Sequence, residues 1–178
     1  RYCAIENCAI EHVGGYCVEI GDGCSANRIV GNEMTDMGAG GVKLGGADAG
    51  EPALRRTGDN RITDNHIHGG GRVYASAVGV LAVHTYGNTI SHNHIHDLFY
   101  TGISCGWVWG YAANVSRDNR IEKNHIHDIG HGLLSDMGGI YTLGVQPGTV
   151  LRGNLIHDIE KRNYGGWAIY PDEGSSHI

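Results

Sequence analysis

A short pattern ending in Asn-His-Ile-His, or a relative of it, returns along the whole chain and limits what the chain can fold into. Full copies begin at Asn27, Asn60, Asn88, Asn119 and Thr149, and a weaker copy begins at Ala4. The anchoring asparagines of these copies are Asn7, Asn32, Asn65, Asn93, Asn124 and Asn154, with spacings of 25, 33, 28, 31 and 30 residues. A repeat of this length is typical of a solenoid, in which each copy stacks on the next.

The local spacing of apolar residues indicates which solenoid this is. Ile62 and Ile67 flank an asparagine and alternate with polar residues, which predicts two short strands joined by a bend rather than a helix. A further apolar element follows each anchor, usually behind glycine, as in Gly102-Ile103-Ser104-Cys105. Helical repeats need long stretches without glycine and leucine-rich repeats need a leucine framework, and the chain has neither. We predict an all-β fold, a right-handed parallel β-helix of about six coils with three strands each.

Stacking of the coils predicts an internal ladder. Strands of neighbouring coils lie about 4.8 Å apart, so each anchoring asparagine should bond the next. The length fits a single domain over residues 1–178. The sequence starts without Met and stops inside a coil at residues 175–178, so we expect the helix to continue at both ends.

Composition excludes several classes of partner. The net charge is −6 and the 13 Lys and Arg residues are scattered, so the basic patch of a nucleic-acid binder is missing. No segment approaches the ~18 apolar residues of a membrane span. The five cysteines, Cys3, Cys8, Cys17, Cys24 and Cys105, include no Cys-x-x-Cys pair and are expected as small buried side chains rather than disulfides. No cofactor is predicted.

Paired histidines recur with the repeat, and they admit two interpretations. The pairs are His66 with His68, His94 with His96, and His125 with His127, while His157 stands alone. Stacking would bring imidazoles of successive coils together, as in a metal site. Because the pairs recur on every coil like a structural consensus, we favour a surface ladder, with Asp97, Asp128 and Asp158 closing the turns, and predict no metal.

Function is better sought where the repeat is broken. Nine of the thirteen aromatic residues lie between Phe99 and Tyr170. Trp107 and Trp109 open an insertion that runs to Asp118, directly after a strand flanked by glycine. Exposed tryptophans suit stacking against the apolar faces of sugar rings. The alternative is that they cover an apolar patch of the helix.

Carboxylates are a second departure. Asp136 precedes one glycine-flanked strand, and Asp172 and Glu173 follow the strand of the next coil, without acidic counterparts in earlier coils. A line of polar residues is the third: Lys43, Ser104, Tyr141 and Tyr170 share one outward place, and His84, Trp107 and Glu173 share a place further on. We expect a groove on this face, with Lys43, His84, Trp107, Trp109, Tyr141 and Tyr170 as candidate substrate-binding residues. Turn formation is the alternative role of the acids.

Three segments carry a resemblance to known proteins: YTGISCGWVWGY, NHIHDIGHGLLSDMGGIYTLG and GGWAIYPDEGSS. They resemble β-helix proteins of carbohydrate metabolism in the pectate-lyase-like superfamily, and are most similar to glycoside hydrolase family 141, which includes an α-L-fucosidase and a xylanase. The resemblance implies hydrolysis of a plant or algal polysaccharide, or its oligosaccharides, at an extracellular or periplasmic site by two carboxylic acids. Asp136 and Asp172 match best, and Glu173 is the first substitute.

The proposed pair sets a geometric condition. Glycosidase carboxyls lie about 5.5 Å or about 6.5 to 9.5 Å apart. Counted from the equivalent Ile140 and Ile169, seven positions separate Asp136 from Asp172, roughly 23 Å on a straight strand. The pair therefore requires that Asp136 lie beyond a bend, which Gly138 and Gly139 permit.

Two other functions compete on this scaffold. A polysaccharide lyase or epimerase would use a basic residue, for which Lys43, Arg72 and His84 are candidates, often with calcium beside a uronate. A carbohydrate-binding or purely structural β-helix would need no catalysis, since a fold does not determine function.

Overall fold

Three parallel six-stranded sheets wind around one core in the computed structural model, which describes residues 1–178. The chain passes through the first, second and third sheet in turn, and the strand of each coil pairs with the equivalent strand of the next. The predicted parallel β-helix of six coils with three strands each is confirmed.

The strands are short and occur at equivalent places in every coil. The first sheet contains Ala4–Glu6, Arg28–Val30, Arg61–Thr63, Thr89–Ser91, Arg120–Glu122 and Val150–Arg152. The second contains Ala9–Val13, Glu33–Met37, His66–His68, His94–Leu98, His125–Ile129 and Leu155–Ile156. The third contains Val18–Ile20, Val42–Gly45, Val80–Val83, Ile103–Gly106, Met137–Leu143 and Gly166–Pro171. A two-stranded pair, Thr57–Gly58 with Thr85–Tyr86, and a 3-10 turn at Ala53–Arg55 complete the elements.

The core follows from the alternation within each strand. In His94–Leu98, Ile95 and Leu98 are buried while His94 and His96 stay partly exposed. Ile95 stacks between Ile67 and Ile126 of the neighbouring coils, and the same stacking continues through all three sheets. Full burial of such a side chain contributes about 1.5–3 kcal/mol, so the stacked aliphatic columns hold the coils together. No helix of this structure has the length and apolarity needed to span a membrane.

In the middle coils, a glycine before the third apolar element leaves room for the core. A Cβ at Gly102 would lie 2.6 Å from Cγ2 of Ile126, and Gly79 stands in the same relation to Ile95. The second and third sheets meet at this corner, and any larger residue would collide with the isoleucine. Packing therefore accounts for the glycine that precedes the third apolar element in the sequence.

Two asparagine ladders run along the β-helix, and each lies directly before the strands of one sheet. The first lies between the first and second sheets and contains Asn32, Asn65, Asn93, Asn124 and Asn154. Each side chain accepts hydrogen bonds from the backbone and amide nitrogens of the equivalent residue in the coil before, as Asn124 does from Asn93 at 3.1 and 2.9 Å. The second ladder, which the sequence did not single out, contains Asn27, Asn60, Asn88 and Asn119 and ends at Thr149.

The assignment of Asn7 to the first ladder is wrong. Cys8 pairs in register with Asn32 and donates its backbone N–H to Asn32 Oδ1 at 3.0 Å. Asn7 is exposed and adopts a left-handed φ of 54° in the bend. The first coil thus carries a cysteine where the later coils carry asparagine, and the neighbouring asparagine occupies the turn.

The cysteines are free thiols, and they do not all lie in the core. Cys105 is fully buried, and burial raises its pKa to about 12. Cys3 and Cys8 are exposed, which corrects the expectation of buried side chains for them. Both belong to the first coil, which has a neighbouring coil on only one side in the structure.

The histidines form two stacked columns on the outer face of the second sheet. His94 stacks on His125 with ring centroids 4.9 Å apart, and His96 stacks on His127 at the same distance. Burial and the neighbouring imidazoles lower the pKa of His94, and that of His96 to about 4. These rings are therefore neutral at neutral pH, and the predicted histidine ladder is present.

Candidate functional site

The outward row of the third sheet places the polar residues that the sequence grouped together. Strand register aligns Lys43, Leu81, Ser104, Tyr141 and Tyr170 on successive coils. Aliphatic and small side chains occupy the middle of this row, and two tyrosines occupy its end. The chemistry is therefore concentrated at the last two coils of the row.

Tyr141 connects this row to the first carboxylate. Its ring is 5% exposed, and its hydroxyl donates a short hydrogen bond to Asp172 Oδ2. Asp172 follows the strand that carries Tyr170, and its backbone N–H donates to the carbonyl of Thr142 at 3.0 Å. The side chain and the backbone of Asp172 are both tied to the neighbouring coil.

Asp136 approaches the same row from the other end of the strand. It adopts a left-handed φ of 59° directly before Met137, so the chain bends there. The Tyr100 hydroxyl donates to its carbonyl at 2.6 Å, and its own N–H donates to the Tyr164 carbonyl at 3.0 Å. Its Oδ1 accepts hydrogen bonds from the hydroxyls of Tyr164 at 2.8 Å and Tyr170 at 3.0 Å.

The two carboxylates therefore converge on one pair of tyrosines. Tyr141 and Tyr170 are register partners with ring centroids 4.5 Å apart, and Tyr141 donates to Asp172 while Tyr170 donates to Asp136. The bend that the sequence required between Asp136 and the strand is present. It brings residues from opposite ends of the strand pair to the same patch of surface.

Burial and nearby charge keep these phenols protonated. Burial raises the pKa of Tyr141 above its ordinary value, and the hydrogen bond to Asp172 and the charge of Asp136 raise it further. The pKa of Tyr170 is raised by burial, by its hydrogen bonds with Tyr164 and Asp136, and by the charges of Asp136 and Asp172. Both hydroxyls therefore act as donors near neutral pH, in a field set by both carboxylates.

Aromatic rings continue from this pair in both directions. The aromatic row, as we name it, runs in the order Trp109, Trp107, Tyr141, Tyr170, Trp167 and Tyr164. Neighbouring ring centroids along it lie between 4.2 and 5.9 Å apart. Trp109 and Trp167, toward its two ends, are 60% and 41% exposed. Tyr141, in the middle of the row, is buried, and none of the six rings lines a cavity.

The charge of this face is negative and uncompensated. Asp136, Asp172 and Glu173 form no ion pair with a Lys, Arg or His side chain. Glu173 is exposed and approaches the insertion, since a Cβ at Gly110 would lie 3.8 Å from its Oε1. A developing positive charge would be stabilised here, and an anionic group would be repelled.

The basic candidates lie elsewhere or are already paired. Lys43 forms an ion pair with Glu19 at 2.7 Å, and Leu81 and Ser104 separate it from Tyr141 in the row. Arg72 pairs with Asp97 at 2.5 Å.

His84 lies next to the aromatic row. Its backbone N–H donates to the carbonyl of Gly106, the residue before Trp107, and its buried Nδ1 has no hydrogen-bond partner. Lys43 is therefore not brought into the cluster, whereas His84 borders it.

Three residues of the cluster were not selected from the sequence. Tyr100 and Tyr164 hold the backbone of Asp136, and Trp167 packs 4.2 Å from Tyr170. The enrichment of aromatic residues after Phe99 was the available signal. Their individual roles depend on the bend at Asp136, which the sequence does not specify.

A three-sheet parallel solenoid with stacked coils defines a β-helix protein, and the carboxylates and aromatic rings on one outer face form its candidate site. The chain belongs to the family described as right handed beta helix region, which matches residues 1–176. It is similar to a solved structure named glycoside hydrolase, with 24% identity and a TM-score of 0.77 over 98% of this chain and 29% of that chain. This likeness shows the fold, and the chain spans 29% of the length of that neighbour. No curated protein matches the chain.

Proposed function

We propose that the protein is a glycoside hydrolase in which Asp136 and Asp172 form the catalytic carboxyl pair. The observation that carries the proposal is the convergence of both side chains on Tyr141 and Tyr170, within a row of aromatic rings. Hydrolysis of a glycosidic bond uses two carboxyl groups flanking the sugar. The tyrosines fix the position of each carboxylate by a hydrogen bond to one of its oxygens.

The proposed chemistry follows from these groups. One carboxylic acid donates a proton to the glycosidic oxygen, and the other carboxylate attacks the anomeric carbon or removes a proton from the attacking water. The transition state carries positive charge on the sugar ring. The unpaired negative charge of Asp136, Asp172 and Glu173 favours that charge electrostatically.

The negative charge of these acids also favours a substrate class without anionic groups. Sugar rings stack on aromatic faces through their C–H surfaces, and the exposed ring of Trp109 is available for this contact. A face without an enclosing cavity accommodates consecutive units of a chain. We therefore propose a neutral plant or algal polysaccharide, or its oligosaccharides, as substrate. The resemblance noted in the sequence and the name of the structural neighbour agree with this class, and they favour an extracellular or periplasmic location.

A lyase or epimerase is less well supported by the arrangement. Those enzymes bind a uronate, whose carboxylate would meet the three unpaired acids of this face. Lys43 and Arg72 are engaged in ion pairs with Glu19 and Asp97. Of the three basic candidates, only His84 lies beside the aromatic row.

The proposal is tested by measuring turnover of aryl glycosides and plant polysaccharides. The wild-type protein is compared with its Asp136→Asn and Asp172→Asn variants. On the polysaccharides, whose leaving groups need protonation, we expect each variant to lose about 10²–10⁴-fold in kcat. Asp64→Asn is the matched control, because Asp64 is exposed and has a left-handed φ of 60°, close to that of Asp136. Equal activity of either catalytic variant and the wild type would remove that residue from the mechanism.

Two further measurements separate the roles and the competing functions. Azide should restore turnover to an alanine variant of the nucleophile or base, whereas a variant of the acid should retain activity on substrates with good leaving groups. Polysaccharide binding without turnover by the wild type would favour a carbohydrate-binding β-helix, to which the exposed tryptophans are also suited. Release of unsaturated uronate products would favour the lyase.

A further inference from the structure

The histidine columns lie on the second sheet, away from the aromatic row on the third. Rings from the two columns also meet in pairs across the columns. The Nε2 atoms of His94 and His127 lie 2.7 Å apart, and those of His125 and His157 lie 2.9 Å apart. A third pair, His66 and His96, has the same contact at 2.8 Å. The stacking of the coils thus aligns ring nitrogens, and not only ring faces.

Carboxylates determine which nitrogen of certain rings carries the proton. His127 Nδ1 lies 2.8 Å from Asp128 Oδ2, and His157 Nδ1 lies 2.7 Å from Asp158 Oδ2. A carboxylate accepts hydrogen bonds, so both rings hold the proton on Nδ1 and present an Nε2 lone pair. That lone pair points at the Nε2 of a ring in the neighbouring coil. A carboxylate on the far nitrogen is the usual second partner of a histidine that binds a metal.

Three of these rings bring a nitrogen atom close to those of the other two. The ligand atoms of His94, His125 and His127 all lie within 4.8 Å of one another. Nitrogens bound to one tetrahedral zinc ion at about 2.05 Å are roughly 3.3 Å apart. The close His94–His127 pair, 2.7 Å apart, has to separate by about half an ångström to reach this spacing. The three side chains are partly exposed, so an ion can reach them and the rings can adjust.

We propose that His94, His125 and His127 form a binding site for a divalent transition-metal ion that prefers imidazole ligands, such as Zn²⁺. Asp128 orients His127, and water completes the coordination. His94 and His125 transfer their proton from Nε2 to Nδ1 when the ion binds, so no net protonation change is required. The histidine pairs recur in successive coils, which predicted a structural ladder. The same recurrence brings ring nitrogens together, as a metal site requires.

Two other groups on this face also converge. The first, His66, His94 and His96, shares His94 with the proposed site, but Asp97, the equivalent of Asp128, pairs with Arg72 and does not orient His96. Glu33, His66 and His68 also converge, but both oxygens of Glu33 already contact those rings, at 2.9 and 2.5 Å. His12 and Asp36 form a carboxylate–imidazole pair at 2.5 Å with no second imidazole beside it. His12 therefore provides a matched control within the same sheet.

Calorimetric titration with Zn²⁺ tests the proposal. The protein is produced without a histidine tag and is treated with a chelator before the titration. We expect saturable binding that is lost in His127→Gln, weakened about 10–100-fold in Asp128→Asn and unchanged in His12→Asn and Glu33→Gln. Absence of saturable binding to the wild type would overturn the site. So would undiminished binding by His127→Gln, or loss of binding in Glu33→Gln.

The absorption spectrum of Co²⁺ added to the wild-type protein keeps the test decisive if His127→Gln does not fold. Coordination by three imidazoles and water gives the intense visible bands of four-coordinate Co²⁺, which Zn²⁺ then displaces. The weak spectrum of hydrated Co²⁺ would contradict the proposal. Because the site is on a different sheet, neither result depends on the glycosidase activity.

Discussion

Tyr141 and Tyr170 are partners across the third sheet, and each donates its hydroxyl to a different carboxylate, Asp172 and Asp136 respectively. The parallel register of a β-helix places equivalent residues of successive coils side by side. Here the register places two hydrogen-bond donors, the hydroxyls of Tyr141 and Tyr170, at the same position of two successive coils. The bend before Met137 then brings a carboxylate from the opposite end of the strand to the second donor.

Tyr141→Phe tests whether this donor positions Asp172 for catalysis. A hydrogen bond to a charged group contributes about 1.5–3 kcal/mol, so we expect kcat to fall about 10–100-fold with a much smaller change in KM. Steady-state kinetics on the best substrate of the screen measures both constants. Tyr74→Phe, an exposed tyrosine on another part of the surface, is the control and should not change either constant. A Tyr141→Phe variant with normal kcat would exclude a positioning role.

Alkaline titration should distinguish the tyrosines of the cluster from the others. The pKa of Tyr141 and that of Tyr170 are raised in the folded protein, so these phenols remain neutral when ordinary tyrosines ionise near pH 10. Their contribution to stability is fully present below pH 10 and is lost as the pH rises above it. The pKa is also raised for Tyr16, Tyr100 and Tyr164. Absorbance at the phenolate band should therefore show a late group of tyrosines that includes Tyr141 and Tyr170 and ionises together with unfolding. Early ionisation of all nine tyrosines without loss of structure would contradict the environment described for them.

The scaffold could be predicted because the same packing contacts and hydrogen bonds recur wherever the sequence pattern recurs. Each buried isoleucine and ladder asparagine has a counterpart in the neighbouring coils, so one segment supplies the interpretation of the others. Asn7 was misassigned because the first copy carries Cys8 in the ladder position, and a slip of one residue moves a side chain from the ladder to the bend.

The site was only partly predictable because it depends on contacts that occur once. Register placed Lys43 and Tyr141 in the same outward row, as the sequence indicated, but three coil spacings of about 4.8 Å separate them. The partners of Asp136 follow from its left-handed backbone and from the loop that carries Tyr164. Neither feature has a counterpart in another coil from which it could be inferred.

Trp109→Ala tests the contribution of the exposed end of the aromatic row. Trp109 contacts Trp107 and is 60% exposed, so its removal should leave the carboxylates in place and reduce only the stacking on substrate. Loss of about 1 kcal/mol of apolar contact would raise KM about fivefold with little change in kcat. Tyr111→Ala in the same insertion is the control, since Tyr111 lies outside the row and should leave KM unchanged. Equal kinetics of Trp109→Ala and the wild type would place the substrate elsewhere on the face.

Asn93→Ala tests the contribution of the asparagine ladder to stability. The Asn93 side chain donates to Asn124 and to the carbonyl of Ile62, and it accepts from Asn65. Its removal leaves several buried polar groups without partners, each worth about 1–3 kcal/mol, so the free energy of unfolding in urea should fall by about 2–4 kcal/mol. Asn7→Gly is the matched control, because Asn7 is exposed, lies outside the ladder and has a left-handed φ that glycine adopts without strain. Asn7→Gly should change the free energy of unfolding by less than about 0.5 kcal/mol. A larger loss of stability in Asn7→Gly than in Asn93→Ala would contradict the assignment of Asn93, and not Asn7, to the ladder.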